Sequence, residues 1–219
     1  MSSPSTDPAP RIRYTTRSRI LEAARQELGR DPDCSLGGIA EAAGVSRRTV
    51  YLYFAGRTAL LSGLVEEVEE AVRRAIDTAS PPDPGAAPGP VDALARFVLA
   101  LWPVGDCYRM LIGLAGQDLG PDRTREVLAP ARERVAGILA EGQRQGVFHT
   151  AVPPGPLSSA VEAHLLALLG AVNSGMWTDD GTGTAVAALV AAGVDSTTAT
   201  FVVRGLHGTE PIPSPHRPR

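Results

Sequence analysis

The stretch SLGGIAEAAGVSRRTVYLYFAGRTALL, residues 35–61, decides how the chain is read. Ser35 is placed to cap a short helix from Leu36 to Ala43, with an inner face of Leu36, Ile39, Ala40 and Ala43. Gly44 ends that helix at the position where a left-handed residue is wanted. Ser46 then caps a second helix. Val45 just before the cap and Val50 at the fourth helical position form a hydrophobic staple. Two helices joined by a Gly-containing turn make a helix-turn-helix, whose second helix enters the DNA major groove by its N-terminal end. Val50 and Phe54, one turn apart, supply the buried face. Arg47, Arg48, Thr49, Tyr51 and Tyr53 are left to point elsewhere.

A solvated surface accounts poorly for those residues. Arg47 and Arg48 sit in the first turn, where the helix dipole already presents about half a positive charge and disfavours further cations. Exposed Tyr51 and Tyr53 need partners for ring and hydroxyl. DNA satisfies both requirements. Phosphates neutralise arginines, arginine pairs bidentately with guanine edges, and tyrosine hydroxyls donate to phosphates. Arg57 opens the next helix, whose free N–H groups and dipole favour a phosphate.

Charge is distributed in the same sense. Residues 1–60 hold nine Arg against six acids, and the remainder holds twelve Arg against eighteen acids. A basic N-terminal part thus precedes an acidic body, although the net charge is −3. A hydrophobic content of 43% is that of a globular chain. Cys34 and Cys107 have no CxxC spacing, so a reducing, cytoplasmic setting is expected rather than a disulfide framework. The N-terminus MSSPSTDPAP has no apolar core and does not read as a signal peptide.

Working outward, residues 1–12 read as a disordered arm. A helix is expected from about Thr15 to Leu28, on Ile20, Leu21, Ala24 and Leu28, and a long one from Arg57 to Ala79. PPDPGAAPGP at 81–90 is a loop. Helical patterns then cover 91–102, 106–117, 123–145, 157–177, 184–192 and 196–206, and the Pro-rich tail 208–219 reads as disordered. No strand period persists, so the fold class is all-α. The expected domains are a helix-turn-helix domain at 13–58 and a larger helical ligand-binding and dimerisation domain at 59–207.

Several chemistries are excluded by pattern. GTGTAV at 181–186 lacks a third glycine and a preceding strand, and there is no Walker A sequence. His149, His164, His207 and His216 share no metal-ligand spacing with either cysteine. No acid/base pair or nucleophile triad can be assembled, so no enzyme, cofactor or metal is expected. Residues 158–177 are long enough to cross a bilayer, but they carry Glu162, His164 and Asn173 on an Ala/Gly-rich background. A helix buried within protein is expected there, and no membrane.

The features Ile39-Ala40, Ala43-Gly44-Val45-Ser46, Thr49-Val50-Tyr51, Tyr53-Phe54 and a basic residue at 57 before Leu60-Leu61 resemble the DNA-binding segment of the tetracycline-repressor (TetR) family. The resemblance covers about residues 15–65; beyond it only length and helix layout are shared. Carried over by position, it implies base contacts from Arg47, Arg48 and Thr49, with the cap residue Ser46 in the same DNA-binding set. It implies phosphate contacts from Tyr51, Tyr53 and Arg57. Gly37-Gly38 stand where the family often has a polar or basic residue, and Gly56 replaces a commoner polar one. Arg11, Arg13 and Arg17 form either a DNA-contacting arm or a floppy basic tail.

The body is expected to dimerise. Leu157, Val161, Leu165, Leu168 and Val172 form one stripe of helix 157–177, while Leu166, Leu169 and Met176 fall on other sides. A helix apolar nearly all round is buried nearly all round. Ala160, Ala163, Ala167, Gly170, Ala171 and Gly175 permit close helix approach. With the C-terminal helical segment ending FVVRGL, they suggest a four-helix homodimer interface. Such a two-fold dimer sets two reading helices about 34 Å apart on a pseudo-palindromic double-stranded operator. Phe97, Trp102, Tyr108, Met110, Gln117, His164 and Asn173 are candidates to line a cavity, each also compatible with plain core. The resemblance implies a repressor released when an unidentified small molecule there shifts helix 57–79. The alternative is a DNA-binding regulator without inducer, controlled by a protein partner or by abundance.

Overall fold

The computed structural model describes residues 15–79, 88–118 and 121–207. Among these are nine α-helices and no strand: α1 Thr16–Arg30, α2 Leu36–Ala42, α3 Arg47–Tyr53, α4 Arg57–Ala79, α5 Pro90–Asp118, α6 Pro121–Arg144, α7 Pro154–Asn173, α8 Thr182–Ala191 and α9 Ser196–His207. The all-α expectation holds. The expected arm at 1–12, the tail at 208–219 and most of the 81–90 loop lie outside the described residues. The chain divides between Leu64 and Val65 into two compact units. That division falls inside α4, whereas the sequence reading set the boundary at its start.

In the first unit, capping fixes where each helix begins. Thr15 Oγ1 accepts from the Ser18 N–H, Ser35 Oγ from Gly38 and Ser46 Oγ from Thr49, at 3.2, 3.2 and 3.0 Å. Gly44 adopts φ 64°. It donates to Glu41 C=O, and Val45 donates to Ala40 C=O, closing α2. Each cap contributes about 1 kcal/mol. Burial contributes more: Ile20, Leu21, Leu28, Ile39, Val50, Leu60 and Leu64 are wholly buried, at roughly 1.5–3 kcal/mol apiece. Packing therefore holds the unit, and the caps set its register. Gly63 permits the close approach of α4, since a Cβ there would stand 2.9 Å from the Phe54 ring.

In the second unit α5 packs against α6, α7, α8 and α9. The sequence reading split 91–102 from 106–117, but α5 is one helix with Pro103 inside it. A proline in a helix interior costs about 3 kcal/mol. Leu94, Phe97, Val98 and Trp102 are buried in the turns before it, so their burial outweighs that cost, while Pro103 itself faces outward. α7 ends at Asn173, short of the expected 177. Gly175 takes φ 72° and donates to Val172 C=O, and Met176 donates to Ala171 C=O. The glycine read as a close-packing residue is a helix stop.

On the single chain α7 is covered along one face only. Leu157, Ser158, Val161 and Leu169 are buried, while Ala160, Ala163, Ala167 and Gly170 are exposed on the single chain. By length and composition alone α7 could cross a membrane.

Candidate nucleic-acid interface and small-molecule cavity

Helix α3 presents its chemistry because its two apolar anchors share a face. Val50 is fully buried and Phe54 nearly so, which turns the opposite side outward. Arg47, Arg48, Tyr51, Leu52 and Tyr53 are all exposed, with Tyr51 at 58% and Leu52 at 82%. Arg17 lies over the Phe54 ring, 5.5 Å from its centre, so this one of the three N-terminal arginines is tied to the core edge. Arg11 and Arg13 lie outside the described residues.

The predicted contact residues are not equally free. Ser46 Oγ lies 2.8 Å from Thr49 Oγ1 besides accepting the cap bond, so both hydroxyls are engaged within the helix start. Arg47 leans toward α2: a Cβ on Gly37 would stand 2.7 Å from its guanidinium. Gly37, read as a departure from the family pattern, is the space that side chain occupies. Arg57 was expected on a phosphate at the start of α4. Its Nη1 instead donates to Cys34 C=O at 3.1 Å and its Nη2 to Pro32 C=O, fastening the α1–α2 loop.

Two features went unread in the sequence. Arg19 Nη2 donates to Ala43 C=O at 2.8 Å and so caps the C-terminus of α2 from 24 residues away. Leu52 is the other; its near-total exposure follows from the register that buries Val50.

The second unit contains a cavity of about 120 Å³. Its walls are Val65, Val68 and Val72 of α4, Phe97, Val98 and Trp102 of α5, Val127, Ala131 and Val135 of α6, and Val161, Leu165 and Leu169 of α7. Charge enters through Arg123, Arg132 and Glu162. Arg132 Nε donates to Glu162 Oε2 at 2.7 Å and its Nη2 to Oε1 at 3.2 Å, a two-pronged pair between α6 and α7. Its hydrogen bonds to Glu162 push the Arg132 pKa up, so the guanidinium stays charged. Ser158, buried, donates to Arg132 C=O. Arg123 pairs with Glu69 of α4 at 2.8 Å.

Of the predicted lining residues, Phe97 and Trp102 face this cavity. His164 and Asn173 do not: both are exposed and neither lines it. His164 precedes Leu165, and one residue along a helix turns a side chain by about 100°. Tyr108, Met110 and Gln117 lie outside the residues whose side chains are described. The Arg132–Glu162 pair escaped notice because its members are 30 residues apart and carry no local signal. Among the described residues no cluster of three or more His, Cys, Asp or Glu could hold a metal.

A Ser-capped, arginine- and tyrosine-bearing second helix on a three-helix core defines a helix-turn-helix regulator domain. Residues 20–64 match the family described as bacterial regulatory proteins, tetR family. The chain is 43% identical over 99 residues to the HTH-type transcriptional repressor LfrR of Mycolicibacterium smegmatis, covering 45% of this chain and 49% of that protein. That match spans about half the length of the curated relative. The solved structure of LfrR from Mycobacterium smegmatis in complex with proflavine is 29% identical, with a TM-score of 0.60, over 81% of this chain and 93% of that one. The fatty acid degradation regulator FadR from Bacillus halodurans is 19% identical with a TM-score of 0.67, over 86% and 97%, a likeness of fold. Residues 20–64 thus carry a TetR-type DNA-binding segment, and the chain as a whole shares the fold of these solved regulators.

Proposed function

We propose that the protein is a homodimeric transcriptional repressor that binds a pseudo-palindromic operator through α3 and leaves it when a small, largely apolar molecule enters the cavity of the second unit. The observation that carries this is the outward face of α3, where Arg48, Tyr51 and Tyr53 stand exposed opposite Val50. Arg48 is the strongest candidate for base reading, with Arg47 and Thr49 beside it, and Tyr51 and Tyr53 for phosphate. Arg57 serves the interface indirectly by holding the loop that leads into α2. The setting is the cytoplasm, where operator DNA is found, and no reaction is catalysed.

The cavity favours an inducible regulator over one controlled only by a partner. Its walls are apolar, and a volume of about 120 Å³ is small against ligand pockets of roughly 300–1,000 Å³. A ligand of several rings must therefore part α4 from α6 and α7. α4 is continuous from Arg57 to Ala79, so a displacement at Val65, Val68 and Val72 is carried along it toward the reading helix. LfrR is known in complex with proflavine, which makes that dye the first probe. The Glu162 carboxylate at the cavity wall offers a cation a partner, at the expense of Arg132.

The test is fluorescence anisotropy of the full chain on DNA upstream of its own gene against random DNA, across a salt series. Sequence-selective binding with a steep salt slope supports the reading. Equal, weak binding on both, and on sites chosen from random sequence, rejects it. Added proflavine then tests release.

A further inference from the structure

We propose that Leu52 reads the 5-methyl group of a thymine in the major groove, about two base pairs from the base contacted by Arg48. The inference rests on the regulator reading above and deepens it.

Among the large apolar side chains of the described residues, Leu52 is the most exposed, at 82%. Its direction is fixed by α3. Val50 and Phe54 anchor the helix to the core, and a step of two residues turns a side chain about 200°. Positions 48 and 52 therefore project together from the face opposite the core, one turn and about 6 Å apart along the axis. Helix propensity does not explain a leucine there, because Arg, Lys, Gln and Glu serve about equally well in an exposed turn. Nor does packing: the side chain is left almost wholly in water.

The neighbours say what covers it. Arg48, one turn before it on the same side, and Tyr51 beside it are both exposed, so the apolar point sits next to a cation. A protein partner would need acidic groups around a pocket for one leucine. DNA supplies both parts in a fixed arrangement: phosphates and guanine edges for the arginines, and the thymine methyl, the one apolar feature on the base edges of the groove. Leucine has no polar atom and can match nothing else there. A separation of about 6 Å against about 3.4 Å per base step puts that thymine about two pairs from the base under Arg48.

The experiment selects a preferred site from random duplexes with the full chain, then replaces each thymine in it, one at a time, by uracil. Uracil removes the methyl and nothing else. The wild type is expected to lose about four-fold in affinity at one thymine per half-site, the cost of leaving one methyl unburied. Leu52→Ala is expected to be indifferent to that replacement while keeping its preference for guanine at the Arg48 position. Circular dichroism of the variant is expected to match the wild type. A selected site at which no uracil matters overturns the inference, and so does a Leu52→Ala protein with undiminished sensitivity to uracil. A variant that loses helix content together with DNA binding makes Leu52 structural and overturns it too. In these three outcomes the regulator reading survives. Failure to enrich any sequence at all rejects that reading and this inference with it.

Discussion

Gly44 and Arg19 meet at one helix end, and together they show what a single position can decide. Gly44 holds φ 64°, and a Cβ there would stand 3.3 Å from Arg19 Nη2, the group that caps α2 through Ala43. Gly44→Ala is expected to destabilise the first unit by ~1–2 kcal/mol, the cost of a left-handed residue with a side chain. Urea denaturation measures it; an unchanged midpoint would mean α2 can end another way. Arg48→Ala tests the reading face instead. It is expected to weaken binding to the preferred site by ~1–3 kcal/mol and to relax preference at one base pair. Equal loss on random DNA would make Arg48 a phosphate contact. The glycine stop and the serine cap were legible because each acts within five residues of its partner. The Arg19 cap and the Arg57 anchor were not, since their acceptors lie 24 and 23 residues away. Thus the motif named candidate contact residues but not which of them the fold had already engaged.

At the scale of the element, the start of α9 depends on one carboxylate. Asp195 Oδ1 accepts from the N–H groups of Thr197 at 3.1 Å and Thr198 at 3.0 Å. The Thr198 hydroxyl, then these backbone bonds, hold its pKa below the ordinary carboxylate range. A pKa depressed by folding contributes stability that is present above the unfolded value and lost as pH falls through the folded one. The first turn of α9 should therefore keep its amide protection at neutral pH and lose it in acid, below the usual carboxylate range. Asp195→Ala should remove that protection at every pH. Hydrogen exchange resolved to α9 checks both, and protection that persists unchanged into acid contradicts the cap. Element ends were read less well than element existence. Pro103 suggested a break that buried Phe97, Val98 and Trp102 override, and Gly175 was taken for a packing residue when it terminates α7. In both cases the deciding forces, burial on one side and a hydrogen-bonded turn on the other, act between residues that a periodicity count treats alike.

For the whole molecule, the two faces of α7 separate what one chain completes from what it leaves open. The face of Leu157, Val161 and Leu169 is covered within the second unit and forms part of the cavity wall. The other face bears Ala160, Ala163, Ala167 and Gly170, all exposed, and α9 bears Phe201 at 79% exposure. The cavity's place between α4, α6 and α7 was not visible in the sequence, because it depends on which stripe of each apolar helix turns inward. The uncovered stripe was visible, since small residues at helical spacing stand out against leucine. If a second copy covers it, one substitution acts twice across a two-fold axis. Phe201→Glu should then give the mass of a single chain by analytical ultracentrifugation where the wild type gives twice that. The first unit is unaltered in this variant, so each reading helix keeps its own half-site. What disappears is the linkage between two half-sites, which multiplies affinity only while both helices are joined. Affinity for a full palindrome should fall to that for a half-site, with half-site binding itself unchanged. A variant that remains dimeric and binds the palindrome as before would place the interface elsewhere and leave the exposed stripe of α7 without a partner.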